Sequence, residues 1–176
     1  MSYYRRKFAA SVAQHRPRLR RFLTKLENNP PKDLDSYPDA IDKEVWQEVD
    51  CLACSNCCRT MTPTYTFKDL QRIAAHLNMT ISQFKAKWLF KNKEGEWMNV
   101  NNPCQFLDRK TNMCSIYAVR PADCAGFPHL TKKKVVHYIH VHKQNVQHCP
   151  ATFKMVEKLM DRIAEAKKNP VIEVYK

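Results

Sequence analysis

Glycine is nearly missing: Gly95 and Gly126 are the only two in 176 residues, where average usage gives roughly a dozen. Phosphate-binding loops need several glycines close together, because backbone amides close around a phosphate only where no Cβ intervenes. The fingerprint G-x-G-x-x-G, the loop G-x-x-x-x-G-K-[ST] and the nucleophile elbow G-x-S-x-G are all excluded. Long apolar runs are missing as well. No stretch approaches the roughly 18 residues of a membrane span, and Phe8-Ala9-Ala10 falls far short of a secretory core. The expectation is a cytoplasmic chain with no membrane partner. In a reducing compartment, eight cysteines point to metal rather than to a disulfide framework.

Acidic charge is missing from the first 26 residues, which hold eight basic side chains and no Asp or Glu. The whole chain has 30 Lys and Arg against 17 Asp and Glu, formally +13, so residues 27 onward carry 22 against 17, or +5. A basic N-terminal helical arm, residues 1–30, is therefore the candidate contact for an acidic partner. Arg5, Arg6, Lys7, Arg16, Arg18, Arg20 and Arg21 would be its phosphate contacts on nucleic acid. That partner is not favoured, because the arm also has an apolar face and no recognition-helix or finger spacing accompanies it. Residues 31–176 read as a single cysteine-cluster metal-binding domain, of a length one hydrophobic core can serve.

Tyr4, Phe8, Val12, Leu19, Phe22, Leu23 and Leu26 have helical spacing, with Pro17 either kinking one helix or opening a second. Asn29-Pro30-Pro31 stops it, and Ile41, Val45, Trp46 and Val49 mark a short helix leading to the first cysteines. Residues 51–59 are expected as a loop. Thr66 with Asp69, and Thr80 with Gln83, are helix starts of the capping-box kind. Leu70, Ile73, Ala74 and Leu77 face inward on the first of these helices, and Phe84, Trp88 and Leu89 on the second. Residues 101–127 are too punctuated by Pro, Asp and Asn for long elements and read as a metal-held loop region with a short helix at 115–119. Alternation from Val135 to His142 predicts a strand. A last helix opens at Pro150 and buries Phe153, Val156, Leu159, Met160 and Ile163. The fold class expected is mainly α with minor β, a small α+β fold in which helices flank a metal-nucleated, loop-rich cysteine core.

Cys51-x-x-Cys54-x-x-Cys57-Cys58 places four thiols in eight residues. C-x-x-C spacing lets two thiolates turn back onto one metal while the chain passes around it. Adjacent side chains share one ion only under strain, so Cys57 and Cys58 are expected to diverge. Cys104, Cys114, Cys124 and Cys149 complete the set. Eight thiolates permit two four-cysteine sites, or one cluster with spare ligands. Sulfur ligation suits both Zn2+ and iron–sulfur clusters. Cys51-x-x-Cys54-x-x-Cys57 is the three-ligand run of a bacterial ferredoxin, which favours a four-iron, four-sulfur cluster, while a zinc ribbon would need a second C-x-x-C pair that the remote cysteines do not supply. His140 and His142, on one face of the predicted strand, are the candidate non-thiolate ligands, and His148 abuts Cys149. Tyr117, Arg120 and Asp123 lie between cysteines, where they would support the ligands or pair with one another.

Cys51-Leu52-Ala53-Cys54-Ser55-Asn56-Cys57-Cys58-Arg59, with Pro103-Cys104-Gln105-Phe106-Leu107, Cys114-Ser115-Ile116-Tyr117, Arg120-Pro121 and 124–128, resembles the CxxCxxCC (YkgJ-like) cysteine-cluster family. Members are small bacterial proteins described as chelators of zinc or iron, and the flagellin lysine N-methylases are larger relatives. The resemblance covers about residues 45–130. It implies that Cys51, Cys54, Cys57, Cys58, Cys104, Cys114 and Cys124 belong to the cluster region, with Cys149 matching less closely. Ser55 stands where members often carry Gly, and Ala125 where they often carry Arg. The function expected is a metalloprotein with a redox, metal-handling or protein-modification role. The alternatives are a zinc-stabilised basic module for an acidic partner or nucleic acid, and a lysine-N-methylase-like enzyme, although no motif for S-adenosylmethionine is recognisable.

Overall fold

The computed structural model describes residues 3–129 (3 and 4 by their backbone alone), 131 and 134–168. The chain divides into two compact units, residues 1–50 with 128–176, and residues 51–127. The structure is mainly helical with one small sheet, as the spacing of apolar residues predicts.

In the first unit, α1 (Tyr3–Asn28) is a single helix that runs through Pro17. Its buried Leu19, Leu23 and Leu26 recur at helical spacing on one face, and the helix packs on α8 (Ile139–Asn145) and α9 (Pro150–Lys168). This packing holds the helix together where proline removes a backbone donor. α2 (Pro38–Glu48) starts with proline at its first position, buries Ile41 and Val45, and lies along α9. Glu44 and Glu48 on α2 pair with Lys154, Lys158 and Arg162, which are spaced four apart on α9. Phe8 meets Phe153 edge to face. The strand expected at 135–142 is not formed: residues 135–138 are a 3-10 turn and α8 follows. Val135, Ile139, His142 and Val146 are buried, with Asn145 beside them, and the spacing of four, three and four along the first set is helical. The alternation over this stretch was shared by a pattern of longer period.

The second unit replaces the loop expected at 51–59 with two helical turns, α3 (Cys51–Cys54) and α4 (Asn56–Thr60), joined at Ser55. β1 (Thr64–Tyr65), β2 (Leu89–Lys91) and β3 (Trp97–Asn99) form an antiparallel sheet in the order β1-β3-β2, with Thr64 opposite Met98 and Leu89 opposite Asn99. Gly95, at φ +84°, makes the reversal between β2 and β3. Both predicted capping boxes are present, Thr66 with Asp69 opening α5 (Phe67–His76) and Thr80 with Gln83 opening α6 (Ile81–Trp88). Tyr65, Leu70, Ile73, Phe84, Phe106 and Ile116 form the core, with Phe84 stacked on Phe106 at 6.2 Å. Trp88 packs against this cluster, whereas Phe90 is exposed. The predicted helix at 115–119 is a 3-10 turn, Tyr117–Val119, and α7 (Ala122–Gly126) follows Pro121.

Candidate metal centre

Seven of the eight cysteines belong to the second unit, and short-range geometry brings the two blocks together. The Cys104 amide donates to the Cys58 carbonyl at 2.8 Å. Leu107 and Cys114 then pair as an antiparallel bridge, closed by hydrogen bonds from Asp108 N to Met113 O and from Ser115 N to Phe106 O. The polar run 108–112 favours this reversal, because Asp108 Oδ1 accepts the Lys110 amide and Asn112 tolerates its φ of +62°. The resulting loop places Cys104 and Cys114 at its base, packed against the core. Asp69 fixes the third remote thiol: its carboxylate accepts the Ala122 amide at the start of α7, the helix carrying Cys124.

The thiols act on one another. Cys58 charge bears on Cys104, Cys114 and Cys124, and Cys124 also feels Cys104 and Cys114. Burial comes first for all three remote cysteines and pushes Cys104 up to about 11, with Cys114 and Cys124 also raised. Cys124 is exposed as a residue, while burial around its thiol is the first cause of the rise. Opposing this rise, the backbone at Phe106 favours the Cys104 thiolate and the backbone at Ile116 the Cys114 thiolate, each two residues on. Arg120, stacked 3.9 Å from the Tyr117 ring, also favours the Cys114 thiolate. Cys58 moves the other way, to about 7, chiefly through its hydrogen bond with Cys57.

Cys57 and Cys58 do not diverge as expected: their sulfurs are 4.0 Å apart. A tetrahedron with metal–sulfur bonds of about 2.3 Å has an edge of roughly 3.8 Å, so adjacency in the chain here approaches ligand spacing. Their helical turn, α4, brings the two side chains near each other. Cys51 is exposed and Cys54 buried at the two ends of α3. Cys149 belongs to the first unit, buried at the head of α9, where its sulfur accepts the Thr152 amide at 3.4 Å. As they stand, no three Cys, His, Asp or Glu side chains among the described residues are arranged to hold a metal ion. The donor set nevertheless fits a thiophilic metal by its chemistry: Cys58 charge bears on Cys104, Cys114 and Cys124, and Cys57 Sγ lies 4.0 Å from Cys58 Sγ.

His140 and His142 do not share a face. On α8, rather than a strand, His142 is buried and His140 exposed. Asp123 accepts the Thr64 amide instead of pairing with Arg120, whose guanidinium donates to the Tyr117 carbonyl. Three residues near the thiols carried no cysteine-linked signal in the sequence. Asn99, at the end of β3, donates from Nδ2 to Cys104 Sγ at 3.4 Å, and its Oδ1 accepts the Tyr65 hydroxyl at 2.6 Å. Asn112 receives hydrogen bonds from Ser55 and Arg59. Burial, then the charges of Cys104, Cys124 and Cys114, hold the Tyr65 phenol protonated.

No helix among the described residues is long and apolar enough to cross a membrane. No solved structure matches the chain. An uncharacterized protein of Methanocaldococcus jannaschii is 38% identical over 107 residues, which are 60% of this chain and 54% of the relative, so the match spans about half of that protein. Cysteine order in the two blocks finds its counterpart in a family described as "Putative zinc- or iron-chelating domain", whose model matches residues 50–150, and the chain belongs to this CxxCxxCC family.

Proposed function

We propose that the chain holds a metal centre on Cys58, Cys104, Cys114 and Cys124, with Cys57 at its edge and Cys51 and Cys54 as the further thiolates of the first block. The observation that carries this reading is the backbone geometry that draws the segments together: the Cys104 amide on the Cys58 carbonyl at 2.8 Å, the Leu107–Cys114 bridge, and Asp69 accepting the Ala122 amide on the helix of Cys124, with Cys58 charge bearing on all three remote thiols. Hydrogen bonds to sulfur favour the thiolate, the form that binds metal. Four thiolates make a closed set, without the open position that metal-activated hydrolysis requires. A bound centre of this kind supplies a cross-link between segments and, if iron, a one-electron carrier.

Cys51, Cys54 and Cys57, the thiolates that flank the four-thiol centre, stand at ferredoxin spacing, and this surplus of sulfur beside the centre favours iron–sulfur chemistry over a lone zinc ion. Exposure of Cys51 and Cys124 suits exchange of electrons or metal with a partner. Cys149 takes a helix-capping role in this reading. The test is anaerobic purification followed by iron, zinc and sulfide analysis, visible absorption and electron paramagnetic resonance, on wild type and single Cys→Ser variants. Brown protein with stoichiometric iron and sulfide is expected, lost in C58S, C104S, C114S and C124S and kept in C149S. Colourless protein with zinc alone would overturn the cluster, and unchanged metal content in those four variants would overturn the site.

A further inference from the structure

Asn99 is 3% exposed and every polar group of its side chain is committed. Its Oδ1 accepts two hydrogen bonds, from the Tyr65 hydroxyl at 2.6 Å and from Gln105 Nε2 at 2.9 Å. Two donors on the oxygen turn the amide nitrogen toward Cys104, 3.4 Å from Sγ. The backbone is held as well, since the Asn99 amide donates to Thr62 Oγ1 at 2.9 Å. Gln105 presents its nitrogen to Asn99 while its own Oε1 is buried with no partner among the described residues, an arrangement that costs free energy. A metal-bound Cys104 is a thiolate with no proton to give, so only the N–H face of an amide fits against it.

We infer that Asn99 is a positioning residue of the thiolate centre, its side-chain N–H held on Cys104 Sγ by Tyr65 and Gln105 so that it sets the charge this sulfur presents to a bound metal. The inference rests on Cys104 being a ligand, as proposed above. A hydrogen bond to a ligating sulfur stabilises its lone pairs. Sulfur-to-metal charge transfer then needs more energy, and protons compete less well with metal for the thiolate. In an iron centre, the same contact raises the reduction potential.

The test uses the full chain, loaded anaerobically with Co2+ alone, and reads the sulfur-to-cobalt charge-transfer band and the Co2+ affinity by chelator competition. Asn99→Asp keeps the shape, still accepts from Tyr65 and Gln105, and replaces N–H with an acceptor facing sulfur. It is expected to weaken Co2+ binding about 10- to 100-fold and to move the band to lower energy. Tyr65→Phe releases one of the two donors that orient the amide and is expected to move the band the same way by less. Thr80→Ala, which weakens the cap of α6 remote from this contact in the chain, is expected to leave the band in place and so separates tuning from loss of stability. A wild-type thiolate band with no change in N99D overturns the inference; if N99D does not fold, an unchanged band in Y65F does so. Wild type that binds Co2+ without any thiolate band takes down the metal reading itself, and this inference with it.

Discussion

Ser55 Oγ donates to Asn112 Oδ1 across 2.9 Å, and both residues hold left-handed backbone, at φ +45° and +62°. Ser55 joins α3 to α4 between the cysteines of the first block, and Asn112 turns the chain between Cys104 and Cys114. Arg59 completes the clasp, donating from Nε to Ser55 Oγ at 3.1 Å and from Nη2 to Asn112 Oδ1 at 2.6 Å. Ser55, at a position where the family resemblance implies glycine, therefore keeps the glycine-like turn and adds a cross-link. Ser55→Ala is expected to destabilise the metal-loaded protein by about 1–2 kcal/mol, through loss of hydrogen bonds that include a charged donor. Ser55→Gly loses the same bonds but relaxes the left-handed turn, so it is expected to be the milder change by about 1 kcal/mol. Denaturant unfolding of both variants checks this, and equal losses would refute the backbone part of the account.

Asp69 links the cap of α5 to the segment carrying Cys124. It accepts from the Thr66 amide and hydroxyl, from Arg72 Nη2 at 2.7 Å and from the Ala122 amide at 3.0 Å. Burial alone would raise its pKa, but these donors together outweigh it and hold the carboxyl below its ordinary 3.8. The charged form is thus favoured by folding. Its contribution is present above the ordinary value and lost as pH falls through the lower, folded one. Asp69→Asn is expected to cost about 2 kcal/mol at neutral pH. The gap from wild type should close as acid protonates the carboxylate, which thermal midpoints over an acid series would measure; a gap independent of pH would assign the loss to shape rather than charge.

Local signals in the sequence were faithful where one segment satisfies its own backbone. Thr66 with Asp69 and Thr80 with Gln83 are complete within three residues, and Pro150 opens α9 by its own geometry. Over the eight residues 135–142 alternation and helical spacing coincide, and what separates them is burial of Val135, Ile139, His142 and Val146. The same divide runs through the site. Cysteine spacing reveals the thiols, since ligand chemistry demands that residue type. Asn99 reaches Cys104 through the pairing of β3 with its neighbours, and Tyr65 reaches Asn99 from β1; neither carries a mark in its own segment.

His142 makes the first unit sensitive to mild acid. It is 1% exposed and neither ring nitrogen has a hydrogen-bond partner among the described residues. Burial, then the charges of His129 and His140, push its pKa from 6.5 down to about 4. Folding therefore excludes a proton that the unfolded chain accepts, and stability should decline as pH falls from about 6.5 to about 4, then level off for this group. His142→Met removes that slope and the two buried polar atoms while keeping a flexible apolar side chain. The variant is expected to match or exceed wild type at neutral pH and to lead it by more at pH 5. Parallel pH profiles of the two proteins would exclude His142 as the source.

Metal removal should act on the two units unequally. The first has its own apolar helix packing, with Leu19, Leu23, Ile41, Ile139, Met155 and Leu159 all buried. The second joins short elements, a two-residue strand and two single-turn helices among them, and carries its seven cysteines on separate segments. Short helices do not persist on propensity alone. A structural thiolate site contributes roughly 10–16 kcal/mol at neutral pH, as much as the whole stability of an ordinary domain at about 5–15 kcal/mol. Chelation under reducing conditions is therefore expected to strip hydrogen-exchange protection from amides in 51–127 while those of α1, α2, α8 and α9 keep most of theirs. C58S/C104S should reproduce the pattern without chelator. Uniform loss along the chain would mean that the thiolate centre supports both units alike, and full protection after complete metal removal would show that it supports neither.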